Sequence, residues 1–219
     1  MKTCFSILAL LIATSTTTRA QLTYGSEVTG NLMIPTSSFS DAFKTGYGGT
    51  LGMFFDMQDN LRVTLSGGYL SSGVKESGVQ SMYEQAGGTG TISPTGSVKT
   101  IPLLLGLQLI TPGPMRIYGA LEAGIYIYRV DVSATITDNT GSSNVQLADE
   151  TRTEFGVNAG FGALFPLKDD LSATAGVKYH FVQTSDFRST AGGSSGLTLS
   201  TNQFLSFALG LNWAFPSGD

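Results

Sequence analysis

The lone histidine, His180, is followed closely by Ser185 and Asp186. A histidine beside a serine can take its hydroxyl proton and turn the oxygen into a nucleophile. The spacing matches no nucleophile motif, so the plainer expectation is a hydrogen-bonded histidine in an enclosed interior. Asp138, Asn139, Asp149 and Glu150 have the oxygen chemistry of a calcium site without the spacing of an EF-hand loop. The one cysteine, Cys4, sits in the extreme N-terminal segment, which removes thiol and disulfide chemistry from the rest. No catalytic, cofactor-binding or metal-binding residue is therefore assigned. A fourth set is Glu27, Arg62, Arg116, Glu122 and Lys178. These charges alternate with apolar neighbours, and an unpaired charge away from bulk water is costly. They are expected to form an internal ionic network.

The elements that carry these residues are strands. In Phe207–Phe215 every odd position is large and apolar, and every even position is small or polar. Side chains on a strand point to opposite faces at successive residues, so the segment has one apolar face. Eight such segments recur, at 22–34, 46–57, 61–72, 97–110, 115–131, 153–165, 171–184 and 201–215. Three connections are short and made of turn formers: 58–60, 111–114 and 168–170. The other four, 35–45, 73–96, 132–152 and 185–200, are longer and rich in Ser, Thr, Gly and Asn. Short and long connections alternate strictly. Antiparallel neighbours then place every short turn at one end and every long loop at the other.

The chain starts with a basic residue, an apolar run over 5–13 and Thr18-Arg19-Ala20. This is the pattern of a secretory signal peptide, expected over 1–20 and cleaved after Ala20. Residues 21–219 are expected to form a single domain. Removing Lys2 and Arg19 from the twelve basic residues leaves ten against sixteen acidic ones, a net charge of −6. No basic field for nucleic acid exists. No apolar helical stretch is long enough to span a bilayer.

The aromatics choose between a soluble barrel and a membrane barrel. Tyr24, Phe55, Phe165, Trp213 and Phe215 gather at the short-turn end, and Tyr47, Tyr69, Phe155, Tyr179 and Phe207 near the long-loop end. Two aromatic belts around an aliphatic middle match the two membrane interfaces. The expected fold is an all-β, eight-stranded antiparallel up-and-down transmembrane barrel, with its apolar face toward lipid.

At this level the sequence resembles the small eight-stranded outer-membrane barrels, the group containing the OmpA transmembrane domain and OmpX. More closely it resembles the outer membrane protein beta-barrel domain proteins, often labelled porin-family, of Bacteroidetes-type bacteria. The carrying segments are 34–48, the Asp59-Asn60-Leu61 turn leading to Gly68-Tyr69, and the aromatic-ended last strand. The resemblance implies a bacterial outer-membrane address among lipids and lipopolysaccharide. It implies recognition by periplasmic chaperones and the barrel assembly machinery. Phe207, Leu209, Leu211, Trp213 and Phe215 would be the assembly signal, although Pro216-Ser217-Gly218-Asp219 follow where such signals usually end.

An eight-stranded barrel has an interior that side chains nearly fill. Phe54, Tyr118, Tyr126 and Tyr128 face inward by parity, which argues against a diffusion pore. The expected role is structural or interactive, with an extracellular ligand at the long loops 73–96 and 132–152. A narrow channel for small solutes is the first alternative. An outer-membrane lipid-modifying enzyme built on His180 is the second.

Overall fold

The computed structural model describes residues 23–37, 39–58, 60–85, 87, 90–138, 141–183 and 201–215. The expected signal peptide, and Ser185 and Asp186, lie outside the described residues. Eight strands run β1 Thr23–Thr36, β2 Gly46–Gln58, β3 Leu61–Gly73, β4 Thr91–Ile110, β5 Arg116–Asp138, β6 Gly141–Pro166, β7 Leu171–Gln183 and β8 Thr201–Phe215. Two helices, α1 Phe39–Ala42 and α2 Glu76–Gln85, follow β1 and β3. Each strand pairs antiparallel with the next, and β8 closes onto β1 from Tyr24↔Phe215 to Thr36↔Gln203. Closure leaves no lipid-exposed backbone edge, which the hydrocarbon core requires.

The registers fix the barrel's geometry. A row of paired residues runs from Lys99 through Ser71, Tyr47, Leu32, Phe207, Val177, Phe161 and Gly119. It returns to β4 at Leu109, ten residues from its start. Eight strands with that stagger tilt by about 41° from the axis, within the usual range for closed barrels.

The apolar face points outward. Among the described residues thirty large apolar side chains are exposed, including Leu105, Leu121, Phe161 and Leu209 at 61–71%. A soluble surface rarely carries a contiguous apolar patch beyond a few hundred Å², so this band belongs in lipid. Phe54, Tyr118, Tyr126 and Tyr128 all face inward, at 0–7% exposure.

Above the outer belt the same strands keep their alternation but exchange its chemistry. On β5, Leu121, Ile125 and Ile127 point out, then Arg129, Asp131 and Ser133 do. The inward side changes from Glu122 to Val130, Val132 and Ala134, the last three nearly sealed. This corrects the expected long loop at 132–152. Residues 132–138 and 141–152 are strand, paired up to Asp138↔Gly141 with a register shift after Val132, and Gly141 has a φ of +140° that suits glycine. The segment reads as loop in the sequence because its apolar parity is inverted, and its threonines favour strand as much as loop. β4 likewise begins at Thr91, six residues before the expected start. Its Pro94 pairs only with β5, and an edge is where a strand tolerates proline.

The connection 73–96 also contains a helix. Val79 and Tyr83 of α2, one turn apart, pack against the outer half of the barrel core, together with Phe39 and Phe43 from the α1 region. A Cβ on Gly78 would stand 1.7 Å from the Asp41 carbonyl oxygen, so only glycine lets the two helices approach this closely. The short turns hold through local bonds: Thr111 N donates to Ile117 O, and Ile117 N to Thr111 Oγ1.

Candidate functional site: the barrel lumen

The lumen has two chemically distinct halves. Toward the short turns, Arg62 reaches across the β2–β3 hairpin to Asp56, with Nε at 2.6 Å from Oδ1 and Nη2 at 3.1 Å from Oδ2. The two residues are directly opposite in register. The guanidinium also lies 3.7 Å over the Phe54 ring. Across the lumen, Lys178 Nζ on β7 donates to Glu122 Oε1 on β5 at 2.6 Å. Glu122 is nearly sealed, at 2% side-chain exposure. Asn158 Nδ2 on β6 donates to the other oxygen of Glu122 at 3.0 Å.

The chain of bonds continues upward. Asn158 Nδ2 approaches Tyr126 Oη at 3.4 Å. Tyr126 Oη stands 2.9 Å from His180 Nδ1, and His180 Nε2 stands 2.8 Å from Ser206 Oγ. One polarity gives each proton an acceptor: the Tyr126 hydroxyl donates to Nδ1, and the Nε2 proton goes to Ser206. In that tautomer Nε2 has no lone pair for the serine proton. His180 is 4% exposed and stacks on Phe204 at 4.2 Å, which is itself fully buried.

The expected ionic set is thus divided. Glu122 and Lys178 pair with each other, and Arg62 pairs with Asp56. Glu27 lines the same lumenal space as Glu122 and Lys178. Arg116, at the short-turn end, forms no ion pair among the described residues. Asp56 is absent from the expected set; Gln58 pairs with Leu61, and a register shift between Asp56 and Gln58 sets Asp56 opposite Arg62. Ser206 and Tyr126, the partners of His180, lie far away in sequence, and no local spacing points to them. Among the described residues no three metal-ligating side chains converge. Asp149 is on strand β6 facing out, not in a loop.

Between these groups remains a space of about 40 Å³, lined by Glu27, Gln108, Glu122, Lys178, His180 and Ser206 among others. That is room for a few water molecules at most. Near its base Tyr118 lies on Gly162 and Gly176. A Cβ on either glycine would come within 2.5 Å of the phenol.

Toward the long-loop end the lumen is apolar. Met33, Phe39, Phe43, Leu70, Val98, Tyr128, Val130, Val182 and Phe204 form one buried cluster. Helices α1 and α2 cover it. Lys75 N donates to Ala42 O, and Ser72 Oγ donates to Lys44 O, tying the two caps together.

Both aromatic groups face outward as parity requires. Tyr24, Phe165, Trp213 and Phe215 are 37–55% exposed, and Phe55 is half-buried. Tyr47, Tyr69, Phe155, Tyr179 and Phe207 are 41–76% exposed. Tyr179 donates its hydroxyl to Gln203 Oε1 at 2.6 Å. The outward row Phe207, Leu209, Leu211, Trp213 and Phe215 occupies the last strand, with Trp213 and Phe215 stacked at 6.4 Å.

Known structures share this architecture at low identity. A major outer membrane protein from Thermus thermophilus superposes with a TM-score of 0.52 at 15% identity, covering 88% of this chain and 99% of that one. The attachment invasion locus protein of Yersinia pestis, solved with a heparin analogue, matches with a TM-score of 0.48 at 13% identity, over 89% and 99% of the two chains. Neisserial surface protein A gives 0.48 at 11% identity, over 90% and 98%. A comparison with curated proteins finds no match. The family model described as "Outer membrane protein beta-barrel domain" matches residues 5–215. The chain therefore belongs to the outer membrane protein beta-barrel domain family, and its place is the bacterial outer membrane.

Proposed function

We propose that this protein is a solute-tight barrel that holds a stiff recognition surface above the membrane. The carrying observation is the three-stranded extension of β4, β5 and β6. β6 pairs with β5 from Gly141 onward, and among the described residues β7 joins it at Gly156. A rigid sheet with polar residues on its outward face, such as Arg129, Asp131 and Asp149, standing above the membrane band is a platform on which another protein can dock. The apolar cluster beneath the extension keeps it rigid and, with Phe204 and Tyr128 fully buried, seals the lumen. In this reading the ionic groups Glu27, Arg62, Glu122 and Lys178 pack the interior rather than conduct. In planar bilayers the protein is expected to show no steady open steps; large stable ones would overturn the sealed reading. On intact cells, deletion of 133–146 is expected to abolish binding of partner protein while heat-modifiable gel mobility persists.

His180 and Ser206 have the distance of a nucleophile pair, but both are sealed, at 4% exposure each. With Nδ1 occupied by Tyr126, we assign them a structural role. Lipid A acylation unchanged in His180→Ala is the expected result. We further propose cleavage of the signal peptide after Ala20. The outward row ending at Phe215 would serve as the signal to the assembly machinery, after periplasmic chaperones have delivered the chain. The extracellular ligand and the lipopolysaccharide contacts belong to the same reading.

A further inference from the structure

The point where the strands exchange their chemistry carries two like charges side by side. Lys99 on β4 and Arg129 on β5 are directly opposite in register, and both point outward. Directly opposed like charges repel across a sheet. Neither residue has an ion-pair partner among the described residues. Arg129 is exposed and Lys99 half-buried.

Their height is specific. One rung below, the outward pair is Ile101↔Ile127, and below that Leu103↔Ile125. A row of paired residues climbs about 1.25 residues per strand in a barrel of this stagger. Corrected for that climb, Lys99 stands about two residues, roughly 5 Å, above the level of Ile101, Phe155 and Phe181. That is the headgroup layer, immediately over the outer aromatic belt. One rung higher the outward pair is Asp131↔Asp149, two carboxylates that repel an anion. The cations are thus bounded by hydrocarbon below and by negative charge above.

We propose that Lys99 and Arg129 form a binding site for the phosphate group of an outer-leaflet lipid, with its acyl chain along Leu103 and Ile125. This rests on the membrane-facing orientation of the apolar band. A phosphate between the two cations relieves their repulsion and accepts charge-assisted hydrogen bonds from both. The carboxylate pair above confines it to the membrane edge, which distinguishes a lipid from a soluble anion.

The test uses the full-length mature protein refolded in phosphatidylcholine vesicles. The doped probes are diphosphorylated lipid A and its dephosphorylated counterpart, and retained lipid is counted by native mass spectrometry. The wild type is expected to retain the phosphorylated lipid at least tenfold more than the Lys99→Gln/Arg129→Gln variant. The dephosphorylated lipid should show no such difference, and Asp131→Asn/Asp149→Asn should retain more than the wild type. Equal retention by inserted wild type and inserted double variant would overturn the site. So would full displacement by millimolar inorganic phosphate, which would make it a free-anion site. Failure of the wild type to insert, read as absent heat-modifiable mobility, would instead overturn the orientation on which the proposal stands.

Discussion

The two halves of the lumen are built from the same strands yet obey opposite rules. In the half near the short turns, polar and charged groups are enclosed and the apolar side chains face lipid. In the half near the long-loop end, Val98, Val130 and Phe204 are enclosed, and Lys99, Arg129 and Asp131 face out. The exchange needs no break in the sheet: β5 pairs with β4 without interruption from Tyr118 to Thr137, and the one register shift against β6 falls after Val132, beyond the point of exchange. Which face is apolar therefore reports the surrounding solvent, not the strand geometry. One barrel contains a membrane segment and, above it, a segment built like a soluble protein. The seam is His180: it bonds to Tyr126 and Ser206, and its ring stacks on Phe204.

This difference predicts different responses to damage. The polar half stands on pairing, so Lys178→Met should cost about 3–5 kcal/mol by leaving Glu122 buried and uncompensated. Adding Glu122→Leu should restore most of that loss, as read by urea unfolding in vesicles. If the double variant were as unstable as the single one, pairing would not be the organising rule there. The apolar half stands on volume. Phe204→Ala should cost about 3 kcal/mol, with no second-site charge change able to restore it. On the outer face, Leu105→Arg should cost about 2–3 kcal/mol at mid-membrane, and Thr135→Arg, on the same face above it, less than about 0.5 kcal/mol. Equal costs would erase the boundary between the halves. Gly78→Ala should lift α2 from α1 at a cost of about 1–2 kcal/mol, seen as faster amide exchange over 76–85 with unchanged protection in the strands. The smallest effect is expected at Arg116→Gln, under about 0.5 kcal/mol, because no ion pair is broken.

Most of the membrane half is legible from alternation alone. Parity is strict there: Ile101, Leu103, Leu105, Leu107 and Leu109 all point out, and the turn formers mark the hairpins. The outer half is not legible in this way, because the rule that finds lipid-facing strands looks for one parity only. Val130, Val132 and Ala134 keep the period and reverse the phase, so the segment resembles loop. The helix α2 is hidden for another reason. Among the described residues its core anchors are Val79 and Tyr83. In the lumen, parity identifies which charges turn inward but not which of them meet. Arg62 finds Asp56 across a hairpin whose register shifts between Asp56 and Gln58, so a plain count back from Gln58↔Leu61 would put Met57 there instead. Glu122 finds Lys178 across the interior, at a separation of 56 residues that only the closed sheet makes short.

Tyr118, resting on its two glycines, fills part of the cylinder near the short-turn end. Ile110 and Leu164 pack with that ring in one buried cluster. Shrinking that ring would open a cup that fills from inside the cell envelope and stays shut to the medium. A through-passage would require a second, separate change in the cap. In the solute-tight reading proposed above, the barrel has two bolts, and a chance mutation at either one leaves the permeability barrier of the cell intact.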